Sequence, residues 1–478
     1  MYPKFGWLAF CVKESLQIPF YRYSSLVLSV TLAMKKSFFG SSLIVVMMVL
    51  SLLLIQFYGA PLLSRANASS STDDWPMFHH DVSHSGYSPN AAPAAFAVVW
   101  NVTIEQKFNG LNPSSPSVVD GYVYVGSSDG IVYCLNASTG ETIWSKTLGN
   151  WVFSTPAVVA SHVYVGSIDG NVYSLSASTG AKIWNYTIGG FVSSSPAVAD
   201  GYVYVASDAG SIYALNASTG AKIWSYPAGV WSYSSPGVAS GYVYIGSGDG
   251  NIYALNASTG SKVWNYTTGS GIESSPTIVD GVVYIGSVDT YVYALNASTG
   301  TKIWNFKTGD GVSSTPAVVD GRVYVGSSDR NVYCLDASSG TEVWNYTTGF
   351  LSGGRIGYGV VSSPAIADGF VFVGSADGNI YALYASTGTI VWSYTTGYEV
   401  NASPAIADGH VYVSSSDGNV YALGYVPAIM PSPTPSPSQS LSPTPSPSVP
   451  EFSSWIILPV LLIITVLVAV AVKRKSGH

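Results

Sequence analysis

A Ser-Pro or Thr-Pro step recurs through the middle of this 478-residue chain, and its spacing limits the fold more than any other feature. Successive steps are 40 residues apart, except for one interval of 48. The prolines are Pro116, Pro156, Pro196, Pro236, Pro276, Pro316, Pro364 and Pro404. A period of about 40 residues is typical of propellers and of some solenoids. The middle of the chain therefore consists of eight copies of one unit.

Each copy has the pattern of four short strands. The pair Asp320-Gly321 falls between the first two predicted strands of one copy and is favoured in tight hairpin turns. The frequent use of Gly (49 residues) and Tyr (34 residues) suits short strands and tight turns better than helices. Four strands within about forty residues form one propeller blade. In the copy at residues 315–349, the predicted strands lie at 317–319, 323–326, 332–335 and 341–347.

The ends of the repeat region predict how the ring closes. The last copy ends at Leu423 without a fourth strand, and a spare strand at 97–103 precedes the first copy. We expect this spare strand to complete the last blade, which leaves few exposed strand edges. The fold predicted for residues 97–425 is all-β, an eight-bladed propeller of four-stranded antiparallel blades. One tryptophan recurs in each fourth strand: Trp100, Trp144, Trp184, Trp224, Trp264, Trp304, Trp344 and Trp392.

The segment 214–224 (ALNASTGAKIW) resembles the tryptophan-docking motif of the pyrroloquinoline-quinone-repeat (PQQ-like) β-propeller family. It recurs with variation in seven blades, and the resemblance covers roughly residues 73–425. The family motif usually has Asp where this chain has Asn216, Asn256 and Asn296, whereas Asp336 keeps the family residue. The resemblance implies that the eight tryptophans pack between neighbouring blades as a structural girdle.

This family contains quinone-dependent dehydrogenases and non-catalytic scaffolds. The dehydrogenases carry an adjacent Cys-Cys pair against the quinone and a calcium site of Glu, Asn and Asp on long inserted loops. Here no two cysteines adjoin and almost every loop between strands is short. We therefore predict the non-catalytic branch, with no catalytic residues and no cofactor. Pyrroloquinoline quinone with calcium belongs only to the alternative hypothesis of a quinone-dependent oxidoreductase.

Two further groups of residues have the chemistry of metal or disulfide sites. Cys134 and Cys334 occupy the same repeat position five repeats apart, so we expect two buried unpaired thiols rather than a disulfide. His79, His80 and His84 lie close to Asp81, and such a set can bind a metal. Residues 75–88 (WPMFHHDVSHSGYS) also resemble the segment that commonly precedes propellers of this family, so we favour a structural lead-in, at 69–96, and predict no metal site.

A repeated aspartate follows the second strand of the blades. Closure of the ring would place these carboxylates on one face, where they could attract cations. Asp is also favoured in turns because its side chain accepts hydrogen bonds from nearby backbone N–H groups, and we prefer this explanation. The residues are Asp129, Asp169, Asp249, Asp289, Asp329, Asp377 and Asp417, with Asp208 displaced by one position.

The connection from each fourth strand to the next first strand varies, although most other positions are nearly fixed. A loop without a packing role can diversify for recognition, and exposed aromatic residues with a few charges suit a binding surface for a glycan or a protein. The alternative is that the sequences of these loops vary without any role in recognition, and that their aromatic residues cover blade edges. The predicted binding face comprises Trp151, Phe153, Phe191, Trp231, Tyr233, Glu273, Asp310, Arg355, Tyr358, Tyr398 and Glu399.

The N-terminal part of the chain has the features of an export signal. Lys35 and Lys36 precede an apolar run at 37–56, and Ala66-Asn67-Ala68 is a small-x-small cleavage site. We predict a signal peptide at 34–68 and an over-extended start at 1–33. An uncleaved signal anchor is the alternative.

The C-terminal part predicts a stalk and a membrane anchor. Residues 426–450 are rich in Pro, Ser and Thr, which keep a segment extended. Residues 455–472 are apolar and long enough for a transmembrane helix, and the basic residues 473–475 place the C-terminus in the cytoplasm. The last segment covers residues 451–478. Pro450, just before it, forms with Glu451 and Phe452 a motif that resembles the PEF-type sorting signal of archaeal surface proteins. Cleavage at this motif and an ordinary transmembrane helix both remain open.

The net charge and the N-glycosylation sequons limit the possible functions further. Residues 69–450 contain 24 acidic and 10 basic side chains, a net charge of −14, which argues against a nucleic-acid partner. We predict a glycoprotein at the cell surface that binds an extracellular glycan or protein as an adhesion, envelope-organising or capture module. The alternatives are the oxidoreductase and a purely structural glycosylated envelope component. The predicted N-glycosylation sites are Asn101, Asn136, Asn185, Asn216, Asn256, Asn265, Asn296, Asn345 and Asn401.

Overall fold

The computed structural model describes residues 74–89, 92, 97–104, 113–229, 233–350 and 359–424. These residues all belong to one compact unit, Met1–Val426. Their regular elements are β-strands, and no helix in this part of the chain is long and apolar enough to cross a membrane. The predicted signal peptide, stalk, sorting motif and transmembrane helix lie outside the described residues.

The strands fall into eight sheets, one for each predicted blade. Blades 1 and 2 contain β3 (Ser117–Val119), β4 (Tyr122–Gly126), β5 (Ile131–Asn136), β6 (Thr142–Thr147), β7 (Ala157–Val159), β8 (His162–Gly166), β9 (Asn171–Ser176) and β10 (Lys182–Thr187). Blades 3 and 4 contain β11 (Ala197–Ala199), β12 (Tyr202–Ser207), β13 (Ser211–Asn216), β14 (Lys222–Pro227), β15 (Gly237–Ala239), β16 (Tyr242–Gly246), β17 (Asn251–Asn256) and β18 (Lys262–Thr267).

Blades 5 and 6 contain β19 (Thr277–Val279), β20 (Val282–Gly286), β21 (Tyr291–Asn296), β22 (Lys302–Lys307), β23 (Ala317–Val319), β24 (Arg322–Gly326), β25 (Asn331–Asp336) and β26 (Glu342–Thr347). Blades 7 and 8 contain β27 (Ala365–Ala367), β28 (Phe370–Gly374), β29 (Asn379–Tyr384), β30 (Ile390–Thr395), β31 (Ala405–Ala407), β32 (His410–Ser414), β33 (Asn419–Gly424) and β2 (Ala97–Thr103). The short strand β1 (Tyr87–Ser88) pairs with β27 in parallel, and all other strand pairs are antiparallel.

The ring closes as predicted. Strand β2 pairs with β33, and Trp100 lies opposite Ala422 in the register. The observed strand bounds in blade 6 differ from the predicted ones by one residue at most. The turn after β23 is the expected tight hairpin turn, because Asp320 and Gly321 both have positive φ angles, of 49° and 70°.

The tryptophans join neighbouring blades near their outer edge. The Trp224 indole N–H donates to the carbonyl of Ala257 in the next blade at 2.8 Å, and the Tyr204 hydroxyl donates to the same carbonyl at 3.2 Å. Gly260 packs against the indole so closely that a Cβ atom there would lie 2.6 Å from Trp224 Cδ2. The same indole bond is made by Trp100, Trp144, Trp184, Trp224, Trp264, Trp304 and Trp344.

Seven of the eight repeat tryptophans thus bond to the neighbouring blade. The eighth, Trp392, is half-buried and packs against Phe372, with ring centroids 6.3 Å apart.

The residue before each repeat proline joins the blades near the axis. The backbone N–H of Ser195 donates to the hydroxyl of Ser235 at 2.9 Å, and equivalent bonds join six further pairs of neighbouring blades. Ser403 N–H donates to the Ser115 hydroxyl at 2.9 Å and so links the last blade to the first. We call this set the hydroxyl ring; it consists of Ser115, Thr155, Ser195, Ser235, Ser275, Thr315, Ser363 and Ser403.

Residues 74–89, which we call the lead-in, pass along the first strands of six blades. Trp75 is bridged to Val118 in blade 1, and β1 continues the contact at blade 7. Because the first strands of neighbouring blades contact each other, the lead-in lies at the inner end of the sheets. In between, the lead-in carbonyls of Pro76, Val82, Ser83, Ser85 and Gly86 accept bonds from the N–H groups of Val158, Val238, Ile278, Val318 and Ile366. This arrangement agrees with the structural role predicted for the segment.

Candidate functional site

The variable connections and the aspartate-bearing turns meet at one end of the blades. The Gly269 N–H, at the end of the fourth strand of blade 4, donates to Asp289 Oδ2 in blade 5 at 2.6 Å. Equivalent bonds join Gly309 to Asp329 and Gly397 to Asp417. We call the surface made by these connections and turns the rim. The prediction that both features share one face is confirmed.

The repeated aspartates hold the rim together. Asp289 Oδ1 accepts the N–H of Tyr291 at 3.1 Å within the turn, and Oδ2 accepts the Tyr293 hydroxyl at 2.7 Å in addition to Gly269. Burial and the neighbouring carboxylate raise the pKa of Tyr293, so the phenol remains a donor. The preference for turn chemistry is therefore correct, and the same carboxylate also bonds the preceding blade. In the described part of the chain, no group of three His, Cys, Asp or Glu side chains is placed to hold a metal ion.

Asp208 differs from the other aspartates. It lies one position earlier in its turn, and Tyr213 donates instead to the carbonyl of Ile188 at 3.2 Å. One carboxylate oxygen of Asp208 is buried without a hydrogen-bond partner. Burial raises the pKa of Asp208, and a hydrogen bond from Ser193 opposes this shift. Asp208 is thus released from the structural role of its counterparts.

Asp208 belongs to an acidic group on the rim. Burial and the negative charges of Asp208 and Glu273 raise the pKa of Tyr233, whose side chain is 49% exposed. The Ser313 hydroxyl donates to Glu273 Oε2 at 2.9 Å. We call Ser193, Asp208, Tyr233, Glu273 and Ser313 the acidic arc. Its carboxylates can accept hydrogen bonds from hydroxyl groups or attract a cation, and its phenol offers an aromatic face.

Aromatic side chains occupy the adjacent blades of the rim. Trp151 and Phe153 pack edge to face, with ring centroids 5.5 Å apart, and both are half-buried. Phe191 is 56% exposed. Exposed aromatic surface of this kind supplies stacking area at small entropic cost.

The remaining predicted binding-face residues divide into two sets. Asp310 and Glu399 are held locally, because Asp310 Oδ1 accepts the Gly311 N–H at 2.7 Å and Glu399 Oε2 accepts the Asn401 amide at 3.0 Å. The Tyr398 carbonyl accepts the Thr396 hydroxyl at 2.6 Å. Trp231, Arg355 and Tyr358 lie outside the described residues. The structure therefore brings together Trp151 with Phe153, and Tyr233 with Glu273. The sequence prediction missed Asp208, Ser193 and Ser313, and the displacement of Asp208 was the available signal.

The two cysteines do not fit the quinone site of the dehydrogenases. Cys134 and Cys334 are free and buried in the third strands of blades 1 and 6, as predicted. Burial raises the pKa of each thiol to about 12. The described residues therefore do not supply an adjacent cysteine pair against a quinone.

The histidines of the lead-in bind backbone carbonyls of the propeller. His79 Nδ1 and Nε2 lie 2.7 Å from the carbonyl of His84 and 2.9 Å from that of Pro364, and His84 Nδ1 lies 3.0 Å from the carbonyl of Pro276. Burial lowers the pKa of both imidazoles to about 4, against the opposing effect of these carbonyls. Asp81 instead accepts hydrogen bonds from Ser83 and Ser85. These contacts favour the structural explanation over a metal site.

Comparison with known proteins supports this architecture. The sequence profile of the family described as outer membrane protein assembly factor BamB matches residues 92–227, 155–287, 228–353 and 351–425. No curated protein sequence matches the chain.

Solved structures with the same fold include catalytic and non-catalytic proteins. BamB from Moraxella catarrhalis is 22% identical, with a TM-score of 0.59 over 70% of this chain and 98% of that one. A europium-containing methanol dehydrogenase is 15% identical, with a TM-score of 0.62 over 74% and 98%. The quinohemoprotein alcohol dehydrogenase from Comamonas testosteroni is 18% identical, with a TM-score of 0.59 over 79% and 84%. At these identities the likeness concerns the fold.

Proposed function

The chain belongs to the family described as outer membrane protein assembly factor BamB, and from that membership and the geometry of the rim we infer that it is a binding module rather than an enzyme. The propeller is displayed outside the cell on a C-terminal membrane anchor, and the rim captures an extracellular glycan or protein. The observation that carries this proposal is the contrast between Asp208 and the other repeated aspartates. Seven blades keep the aspartate in one structural position, and one blade displaces it by one residue and leaves one of its carboxylate oxygens buried without a partner.

The surroundings of Asp208 support recognition. A buried carboxylate oxygen without a partner is costly, and a ligand that donates a hydrogen bond or carries positive charge would offset this cost. Phe191 and Tyr233 add exposed aromatic surface next to it. Interface hot spots are typically aromatic residues flanked by hydrogen-bonding groups.

A binding screen of the full chain in detergent tests the proposal. The wild-type protein is applied to an array of glycans and cell-envelope proteins, and then a variant with Phe191→Ala and Tyr233→Ala. We expect a specific hit for the wild type and at least a tenfold loss of affinity for the variant, since each hot-spot residue contributes about 1 kcal/mol or more. The matched control is Tyr384→Ala, because Tyr384 is 46% exposed but lies at the opposite end of its blade, and its removal leaves binding unchanged.

The same protein is titrated with pyrroloquinoline quinone and calcium in a dye-reduction assay. Quinone binding with dye reduction would show that the protein is a quinone-dependent oxidoreductase rather than a binding module. Binding that is lost in the Tyr384 variant but kept in the rim variant would show that the rim is the wrong face. A protein that is silent in both assays would be a structural envelope component.

A further inference from the structure

Eight of the nine sequons predicted in this propeller fall into two structural classes, and the ninth, Asn401, lies in the connection before the first strand of blade 8. Four lie in the outermost strands β2, β10, β18 and β26, and their asparagine side chains are exposed. Four others are the last residues of third strands, where the turn to the fourth strand begins, and their asparagines are half-buried. The strand class is Asn101, Asn185, Asn265 and Asn345, and the turn class is Asn136, Asn216, Asn256 and Asn296.

The turn asparagines have a structural task. Asn216 Oδ1 accepts the N–H groups of Ser218 and Thr219 at 3.1 and 2.9 Å, together with the Thr219 hydroxyl at 3.0 Å. In blade 6 the same position is Asp336, whose Oδ1 accepts the equivalent N–H groups of Ser338 and Ser339. Asp has no amide to glycosylate, so hydrogen bonding within the turn is sufficient to explain an Asn at this position.

The strand asparagines have no such task. The Asn265 amide donates to Asn251 Oδ1 at 3.0 Å, and the hydroxyl of Thr267 donates to the same oxygen at 2.6 Å. Asn185 and Thr187 repeat this arrangement around Asn171. An amide nitrogen that carries a glycan keeps one N–H, so the bond to the third strand survives modification. The glycan itself would extend into solvent from the outermost strand.

The strand sequons occur on every second blade, namely 8, 2, 4 and 6. At the same position blades 1, 3 and 7 have Ser145, Ser225 and Ser393, and blade 5 has Asn305 followed by Phe306 and Lys307, which is no sequon. Each outermost strand leaves one edge unpaired within its sheet, and such edges invite pairing with other chains. Six of the eight also expose a branched apolar residue beside the tryptophan, as Ile183 does at 46% exposure. A bulky hydrophilic group on alternate blades would protect this perimeter.

We propose that the outermost strands of blades 2, 4, 6 and 8 are the N-glycosylation sites of this protein, and that the turn sequons stay largely unmodified. In the modification, the asparagine amide nitrogen bonds to C1 of a saccharide carried on a lipid-linked phosphate. The bond from C1 to the phosphate oxygen breaks, and the amide proton passes to the released lipid phosphate. The inference rests on the proposed function, because it requires export of the propeller.

Glycopeptide mass spectrometry of the full chain tests the inference. The protein is purified from membranes of cells that N-glycosylate exported proteins. Most copies are expected to carry glycan at Asn185, Asn265 and Asn345, and only a minor fraction at Asn216 and Asn296. Thr187→Val should remove the mass of one glycan, whereas the matched turn variant Ser218→Ala should leave the mass of the glycoform unchanged.

The chain also offers a gain-of-site variant. Lys307→Thr converts blade 5 to the sequon pattern of its neighbours at the exposed Asn305, and it should add the mass of one glycan. Occupied turns with empty strands, or no added glycan in this variant, would overturn the inference. Protease accessibility of the propeller on intact cells separates the two proposals. An accessible propeller without glycan overturns this inference alone, and an inaccessible one overturns the proposed export as well.

Discussion

The blades of this propeller are joined in two different ways at their outer and inner ends. At the outer end of most blades, the indole N–H donates to a carbonyl 33 residues further along the chain, as Trp224 does to Ala257. At the inner end, a single segment that does not repeat bonds to the first strands of six blades, and the hydroxyl ring passes beside it. The outer contacts are local and independent, whereas the lead-in is shared.

This difference indicates which parts of the ring can tolerate substitutions. Loss of one outer contact weakens one interface and leaves the others intact. Loss of a lead-in contact affects a segment on which several blades depend. The exposed, variable side chains of the rim take part in neither kind of contact, so they can vary without disturbing it.

The largest effect is expected from an outer contact. Trp224 is 7% exposed and packs on Gly260, so Trp224→Ala leaves a large cavity and removes one of the two donors to the Ala257 carbonyl. We expect a loss of about 3–5 kcal/mol in the free energy of unfolding, measured by urea denaturation of the purified protein. Trp224→Phe is the control, because it keeps much of the packing and loses mainly the indole bond. Equal losses in the two variants would mean that the hydrogen bond rather than the packing holds the interface.

The outer contacts are predictable from sequence because both partners repeat. The tryptophan and the turn that carries its carbonyl recur in register, and the family resemblance adds the direction of packing. Strand β2 is found for the same reason, since Trp100 marks it as a spare copy. These features specify the blade number and the closure of the ring.

The inner contacts and the acidic arc are not predictable in this way. The lead-in occurs once, so no periodicity reveals that its carbonyls meet Val238 or Ile278. The Ser or Thr before each proline repeats, but its bond crosses to the next blade and leaves no mark within one copy. The sequence also cannot show that the charge of Asp208 acts on Tyr233, because the two residues lie in different loops that only the fold brings near each other.

The next largest effect concerns the inner contact and pH. Burial lowers the pKa of His84 to about 4, against the ordinary value of 6.5, so the folded state keeps the imidazole neutral while the unfolded state takes up a proton. Stability is therefore complete above about pH 6.5 and falls as the pH drops toward 4, by roughly 3 kcal/mol over the whole window. The groups nearest to His84 are His79 and Asp81, and His79 shifts in the same direction.

Unfolding midpoints measured between pH 7 and pH 4.5 check this expectation. His84→Gln should reduce the pH dependence but not abolish it, because glutamine can still donate to the Pro276 carbonyl and does not titrate, whereas His79 still does. His162→Gln is the matched control, since His162 lies in blade 2 away from the lead-in and bonds to the Ala160 carbonyl. A pH dependence that is equally steep in wild type and the His84 variant would show that the lead-in is not the acid-sensitive contact.

The smallest effect is expected in the hydroxyl ring, where one link can be broken without touching the lead-in. Ser235→Ala removes the acceptor of the buried Ser195 N–H and, in the same step, leaves the Ser235 N–H bonded to Ser275. We expect a loss of about 1–2 kcal/mol in the free energy of unfolding, because the buried Ser195 N–H is left without an acceptor. Ser235→Thr is the control and should be nearly neutral, because Thr155 and Thr315 occupy the same position in other blades. If the alanine variant instead lost as much as Trp224→Ala, the links of the ring would be cooperative, and the inner end rather than the tryptophan girdle would be the main closure of the propeller.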